Sequence, residues 1–466
     1  MTTSTDLCFL SLDELSRRIA AKDVSPVEAT EASLARIEQL NPTLNAFITV
    51  MAEQAMAAAR AAADEIAAGK RRGPLHGVPV GVKDLCATKG VRTTAGSKIL
   101  AESVPDEDSA LIEKLREAGA VVVGKTHLHE FAFGATGINP HFGPCHNPWD
   151  TSRITGGSSS GSAVSVASGM CYAAIGSDTG GSVRIPASLC GLTGIKPTYG
   201  RVSVRGTLPL SWSLDHLGPM ARSARDCALV LAAIAGYDAQ DELSVDAPVD
   251  DYAAKIDGGI AGLRVGVVTN AFADVQPDVA SNVRAAIDVL AQLGAQVREI
   301  ELPQVQELWG ATSAILVSEA AAYHKENFEQ RPADIGDDVL LRLQWGMDVK
   351  AVDYVRAMRL MREVRATCDE TLLRDVDLLA MPTTIIAAVP IEAVTKEDPT
   401  LGLTRLTAAF DVTGQPAASV PCGFTSEGLP VGLQLIGRHF DEATVLRAAH
   451  SYEEARGPWP QPPVDA

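Results

Sequence analysis

The spacing of apolar and polar positions changes several times along the chain, and each change predicts an element. Ser11 followed by Glu14, and Ser25-Pro26 followed by Glu28, each set a side-chain cap and an acid at the head of an amphipathic repeat, so two helices are expected first. Residues 51–68 are alanine-rich but broken by Glu53, Gln54, Arg60, Asp64 and Glu65, which predicts a third helix on the surface. After Gly73-Pro74 the period drops to two, and Gly77-Val-Pro-Val-Gly-Val-Lys83-Asp84 reads as a strand ending in charge. A helix over 111–118 precedes a strand over 121–124. The same grammar returns with a strand over 263–269, a helix over 279–293 and a strand over 296–302. A long helix over 349–373 leads into a strand over 377–381, and 429–437 alternates like a central strand. Alternating helix and strand predicts an α/β protein, and a late central strand pairs with earlier ones, so one domain is expected.

Within that domain the pattern divides into a helical part over about 8–70, a motif-rich region over about 74–230, a less constrained region over about 235–410, and closing strands and helix over about 411–458. The acidic, irregular stretch 237–257 is the expected exposed linker. Residues 134–218 are rich in Gly, Ser, Thr and Pro around one apolar helical stretch at 162–170, and loops of that length in a compact protein are usually functional.

Composition narrows the partners. At 466 residues and 46% hydrophobic, the chain can bury a large core. Its 40 Lys and Arg against 58 Asp and Glu give a formal charge of −18, which repels phosphate backbones and anionic membranes, so nucleic acid is not expected as a partner. The eight cysteines lie singly with no C-x-x-C pair, and suit small buried hydrophobes in a reducing cytoplasm. His127-Leu128-His129 is the closest histidine pair, and no metal is expected there. The first residues lack a basic n-region, and no run of about 18 apolar residues occurs, so neither an export signal nor a membrane span is expected.

Two segments carry candidate chemistry. In Gly156-Gly-Ser158-Ser-Ser160-Gly-Ser162 the glycines bring hydroxyls and N–H groups close together, a feature shared by phosphate cradles, linkers and catalytic turns. The missing Gly-Lys-Ser/Thr ending weakens the phosphate reading. Gly176-Ser-Asp178-Thr-Gly180-Gly181-Ser182-Val-Arg184 places a hydroxyl after two glycines at a strand end. The N–H groups of Thr179, Gly180, Gly181 and Ser182 are candidate donors to an oxyanion, each worth about 3–4 kcal/mol in an acyl transfer. A serine needs a base, and none of the nine histidines sits in a hydrolase-type setting; His216 reads as structural. Lys83 ends an apolar strand, and Val80, Val82 and Leu85 would desolvate it. Lowering a lysine to near neutrality takes about 4–5 kcal/mol, within reach of burial. A buried ion pair of Lys83 with Asp84 or Asp178 is the competing reading.

Together, the Lys83 strand, the Ser158 loop and the Ser182 loop resemble the amidase signature hydrolases. The intervals of 75 and 24 residues between Lys83, Ser158 and Ser182 are those of that family, and the resemblance runs on through 191–203 and 215–219 to 428–434. It implies a single large domain with a central mixed, twisted β-sheet covered by helices on both faces. It further implies a neutral Lys83 that takes a proton from Ser158, held on a cis peptide, while Ser158 takes one from the nucleophile Ser182. Run backwards, the relay protonates the leaving nitrogen, and water then clears the acyl-enzyme. Ser159, Asp178 and Arg184 would support the loops, and no cofactor is implied. Ser160 departs from the glycine usual at that place.

The family spans stand-alone amidases and the glutaminase component of a tRNA-dependent amidotransferase. In the glutaminase, an arginine on the long helix clamps the substrate carboxylate; Met361 aligns with it here, or Arg362 after a slip of one residue, and Thr404 stands near the acid that meets the amino group. The expected function is therefore hydrolysis of an apolar or aromatic amide, anilide or carbamate. The alternative is the glutaminase-type component, which would need a partner protein. Phe131, Phe133 and Met361 are the expected pocket walls, with Trp309, Trp345 and Met347 at its mouth. The expected partner is a small-molecule amide, and a homodimer is left open.

Overall fold

The computed structural model describes residues 7–395 and 400–464. Among these, one sheet is formed by β1 (Phe47–Val50), β2 (Pro79–Lys83), β3 (Val121–Thr126), β4 (Ala173–Asp178), β5 (Thr193–Lys196), β6 (His216–Ala221), β7 (Arg264–Val268), β8 (Gln296–Ile300), β9 (Leu378–Pro382), β10 (Ala417–Phe424) and β11 (Pro430–Ile436). Their order is β1-β3-β2-β4-β6-β5-β10-β11-β9-β7-β8. The sheet is mixed: β2 runs parallel to β3 and β4, and β7 to β8 and β9, while the centre is antiparallel. The α/β class and the single mixed sheet agree with the sequence reading.

Successive strand residues point to opposite faces, and the core divides accordingly. Val80, Val82, Val122, Ala173 and Ile175 join one apolar cluster, with the helix Ala224–Ile234. Val121, Val123, Ala174 and Met220 join another, with the helix Ser160–Ala167. Helices therefore cover both faces, and strands between them are buried throughout, as parallel strands usually are. The helix Ser160–Ala167 is itself wholly buried and made of small residues; a Cβ at Gly161 would sit 2.1 Å from the Ala46 carbonyl oxygen.

The caps expected at Ser11 and Ser25 are present, the second as a full capping box with Glu28. Three strands escaped the sequence reading for physical reasons. β1 has only four residues, β6 carries Gly218-Pro219, and β10 is interrupted by a bulge at Pro421, so none alternates cleanly. The helices Gln304–Tyr323 and Asp337–Asp348 also escaped; they pack on each other, and the first also packs on Ala351–Thr371. Residues 237–257 are irregular apart from the short helix Tyr252–Lys255. No helix among the described residues is long and apolar enough to cross a membrane.

Candidate active site

β2 and β4 are parallel neighbours, so their carboxyl ends open together, the usual place for a site in an α/β sheet. Lys83 is the last residue of β2, and Ser177 and Asp178 end β4. Lys83 is fully buried, and its Nζ lies 2.7 Å from Ser158 Oγ and 2.8 Å from Ser177 Oγ. Burial lowers its pKa from 10.5 to about 7, against the weaker opposing pull of Cys86, Asp178 and Asp215. Among the described residues it makes no ion pair. Asp84 faces Lys125 at 3.6 Å and accepts from Thr94, while Asp178 is taken by Arg184, so the competing ion-pair reading of Lys83 does not hold. Once neutral, the amine can accept the Ser158 proton while donating to Ser177.

The Gly157–Ser158 peptide is cis. Ser159 N–H donates to the Ser182 carbonyl at 3.3 Å, and its hydroxyl donates to the Ser177 carbonyl at 3.1 Å. Ser159 thus ties the Ser158 turn both to β4 and to the Ser182 loop. The Asp178 carboxylate organises that loop, accepting from Gly181 N at 2.7 Å and Val183 N at 3.0 Å. Burial opposes its charge, yet the Arg184 guanidinium, at 3.0 and 2.8 Å, holds it well below the usual carboxylate range. Arg184 also reaches Asp411, Gln434 and the Thr407 carbonyl, linking the loop to the closing strands. Breaking such a buried pair leaves an unpaired charge, so Arg184→Met is expected to cost about 3–5 kcal/mol, read as a lower denaturant midpoint.

Of the four expected oxyanion donors, Gly181 is removed, because its N–H is already held by Asp178. Its positive φ of 125° and the 2.2 Å approach of Thr407 Oγ1 to a would-be Cβ explain why it is glycine. The N–H groups of Thr179, Gly180 and Ser182 make no hydrogen bond within the described protein. Thr179 is fixed from its hydroxyl, which donates to Asp215 at 2.6 Å. Asp215, pushed up to about 6 by burial despite that bond, was not singled out from sequence; neither was Ser177, although it precedes Asp178 in the same motif.

A cavity of about 350 Å³ opens on Ser182, Thr179 and Gly180. Phe133, Trp309 and Trp345 line it. Phe131 does not: it is fully buried and its ring lies 4.0 Å from that of His324. Met361 is packed in the core with Phe410 and Ile315, and Arg362 is exposed; neither lines the cavity. Met347 is exposed and also outside the lining. Thr404 does line it, its hydroxyl accepting from Trp309 Nε1 at 3.2 Å. The wall residues missed from sequence, Leu210, Leu316, Val317 and Arg342, come largely from the two unassigned helices. Arg342 donates to Asp338 at 2.7 Å and to the Phe133 carbonyl at 3.0 Å.

The histidines lie outside this chemistry. His127 bonds Ser160 and the Gly143 carbonyl, whereas His129 bonds Asp338, so the two do not form a pair. β3 ends at Thr126, so the alternation assumed for them no longer applies. His216 is held by the Leu214 carbonyl and Lys196, a structural setting. A larger cavity of about 680 Å³ between Phe9, Trp149, Arg222 and Trp459 contains none of the expected catalytic residues.

Comparison with known proteins places this geometry. Residues 28–446 match the amidase family. The glutaminase-bearing component of glutamyl-tRNA(Gln) amidotransferase from Anaeromyxobacter sp. (strain K) is 43% identical over 99% of this chain and 99% of its own. An inhibitor-bound structure from work on a vestigial protein complex and the origins of an s-triazine catabolic enzyme superposes with a TM-score of 0.91 at 34% identity, covering 96% of this chain and 99% of that one. A peptide amidase in complex with chymostatin follows with a TM-score of 0.86 at 32% identity, covering 97% and 99%. The chain therefore belongs to the amidase signature family, hydrolases that act on C–N bonds.

Proposed function

We propose that the chain cleaves a carboxamide through an acyl-enzyme on Ser182, with Ser158 as relay and Lys83 as base. The observation that carries this reading is the contact of a fully buried Lys83 with Ser158 at 2.7 Å, with the amine brought to about 7. A neutral Lys83 draws the Ser158 proton, Ser158 draws that of Ser182, and Ser182 Oγ attacks the amide carbon. Negative charge gathers on the carbonyl oxygen, where the Thr179, Gly180 and Ser182 N–H groups are available. The proton returns through Ser158 to the nitrogen as the C–N bond breaks. Water then repeats the sequence on the ester, releasing the acid.

For the substrate, likeness favours the glutaminase-type alternative. The 43% identity over essentially the whole of an amidotransferase component supports a glutaminase that works with partner proteins rather than as a homodimer. The long-helix clamp is missing, but Arg342 contributes the one formal positive charge among the lining residues and is the candidate partner for a substrate carboxylate. One observation favours a stand-alone amidase for apolar amides: Phe133, Leu210, Trp309, Leu316, Val317 and Trp345 dominate the walls. Rates with glutamine and with a neutral anilide decide between them. On the first reading Arg342→Met raises KM for glutamine by about tenfold or more with kcat little changed, and leaves the anilide unaffected. Anilide hydrolysis outpacing glutamine, with no Arg342 effect, would establish the second.

A further inference from the structure

At the carboxyl end of the helix Ala351–Thr371, Cys368 and Asp369 meet His439 from the segment that follows β11. One donor atom from each lies within 4.8 Å of the others. Cys368 is fully buried, whereas the His439 and Asp369 side chains are 21% and 30% exposed, so the cluster has a dry side and a side open to water.

The histidine is oriented as a metal ligand is. His439 Nε2 lies 2.8 Å from the Thr413 carbonyl, which can only accept, so that nitrogen carries the proton. In the neutral imidazole the other nitrogen, Nδ1, then presents a lone pair. It faces Asp369 Oδ2 at 3.1 Å and Cys368 Sγ at 3.8 Å. Either a second proton or a cation must relieve the lone pair against the carboxylate. A proton accounts for the carboxylate alone; a cation also accounts for the sulfur, whose contacts with the Arg365 and Thr413 carbonyls are long, at 3.9 Å each. Tetrahedral zinc bonds to sulfur and nitrogen imply an S···N separation of about 3.6 Å, close to that observed. The carboxylate is oriented independently, by Gln415 Nε2 at 2.9 Å and by the His439 N–H at 3.1 Å, the outer support that ligating carboxylates use.

We propose that Cys368, Asp369 and His439 bind a divalent ion of the zinc class, with water at the solvent-facing fourth position. Binding releases the Cys368 thiol proton to solvent, and the thiolate and carboxylate balance the ion's two charges while His439 stays neutral. A thiolate with an imidazole selects zinc over magnesium or calcium. The ion clips the long helix to the segment after β11. Through the Thr413 carbonyl it also bears on the short helix Ala409–Thr413, whose Asp411 grips Arg184 behind the Ser182 loop. The role is structural and separate from the amide chemistry.

The test is titration of untagged, metal-stripped protein with Co²⁺ and then Zn²⁺. One equivalent of Co²⁺ should give tetrahedral d–d bands with a thiolate-to-cobalt charge-transfer band, displaced by one equivalent of Zn²⁺, and Zn²⁺ should raise the melting temperature. Cys368→Ser should abolish the charge-transfer band. Asp369→Asn and His439→Gln should weaken Co²⁺ binding by about 100-fold or more while far-UV circular dichroism stays that of the parent. Absence of the charge-transfer band in the parent, or its persistence in Cys368→Ser, overturns the proposal.

Discussion

Ser182→Ala is expected to lower amide turnover by about 10⁵-fold or more, the scale seen when a serine nucleophile is removed from an otherwise intact site. The residue sits at the cavity floor, 9% exposed, beside N–H groups of Thr179, Gly180 and its own that no protein acceptor uses. The loop is held by Asp178 and Arg184 rather than by the Ser182 hydroxyl, so folding should survive the change, with a denaturant midpoint close to the parent's. A fluorophosphonate should label the peptide containing Ser182. Labelling that persists in the alanine variant would remove Ser182 from the role of nucleophile.

The second large effect concerns pH. A lysine can accept a proton only when neutral, and Lys83 is brought down to about 7 by burial. The rate kcat/KM should therefore rise tenfold per unit up to about pH 7 and level off above it, since protonation below that value removes the base. Lys83→Met should lose about 10³-fold or more and show no recovery at high pH, because the relay partner of Ser158 is gone. A profile in the variant that still rises with the parent's midpoint would assign the titration to another group. Asp215, at about 6, is the first to examine.

How much of this was legible beforehand depends on the range over which each feature is set. The caps at Ser11 and Ser25 and the strand ending in Lys83 are local, and local pattern sufficed for them. The two glycine-rich turns were legible as places where hydroxyls and N–H groups crowd, but not as one site. Residue spacing became informative only through the family resemblance, because the contact between Lys83 and Ser158 spans 75 residues. The pocket was misjudged where side-chain direction mattered. Phe131 and Phe133 alternate as if on a strand, yet Phe131 takes a φ of 52° in a tight turn, and one ring goes to the core and the other to the cavity. Met361 was placed by alignment alone, and helix rotation turns it into the core against Phe410.

What the sequence determined by itself was the chemistry's vocabulary: a buried-strand lysine, two serine-bearing glycine turns, an acidic charge incompatible with nucleic acid, and an α/β alternation. Each follows from neighbours a few residues apart. The tertiary structure alone decided that Lys83 faces hydroxyls rather than carboxylates, that Gly181 spends its N–H on Asp178, and that Arg342 stands in the cavity wall. It alone brings Cys368 to His439 across 71 residues. These depend on which parallel strands lie side by side and how the later helices turn. That is settled by burying both faces of the whole sheet at once, and no local period encodes it.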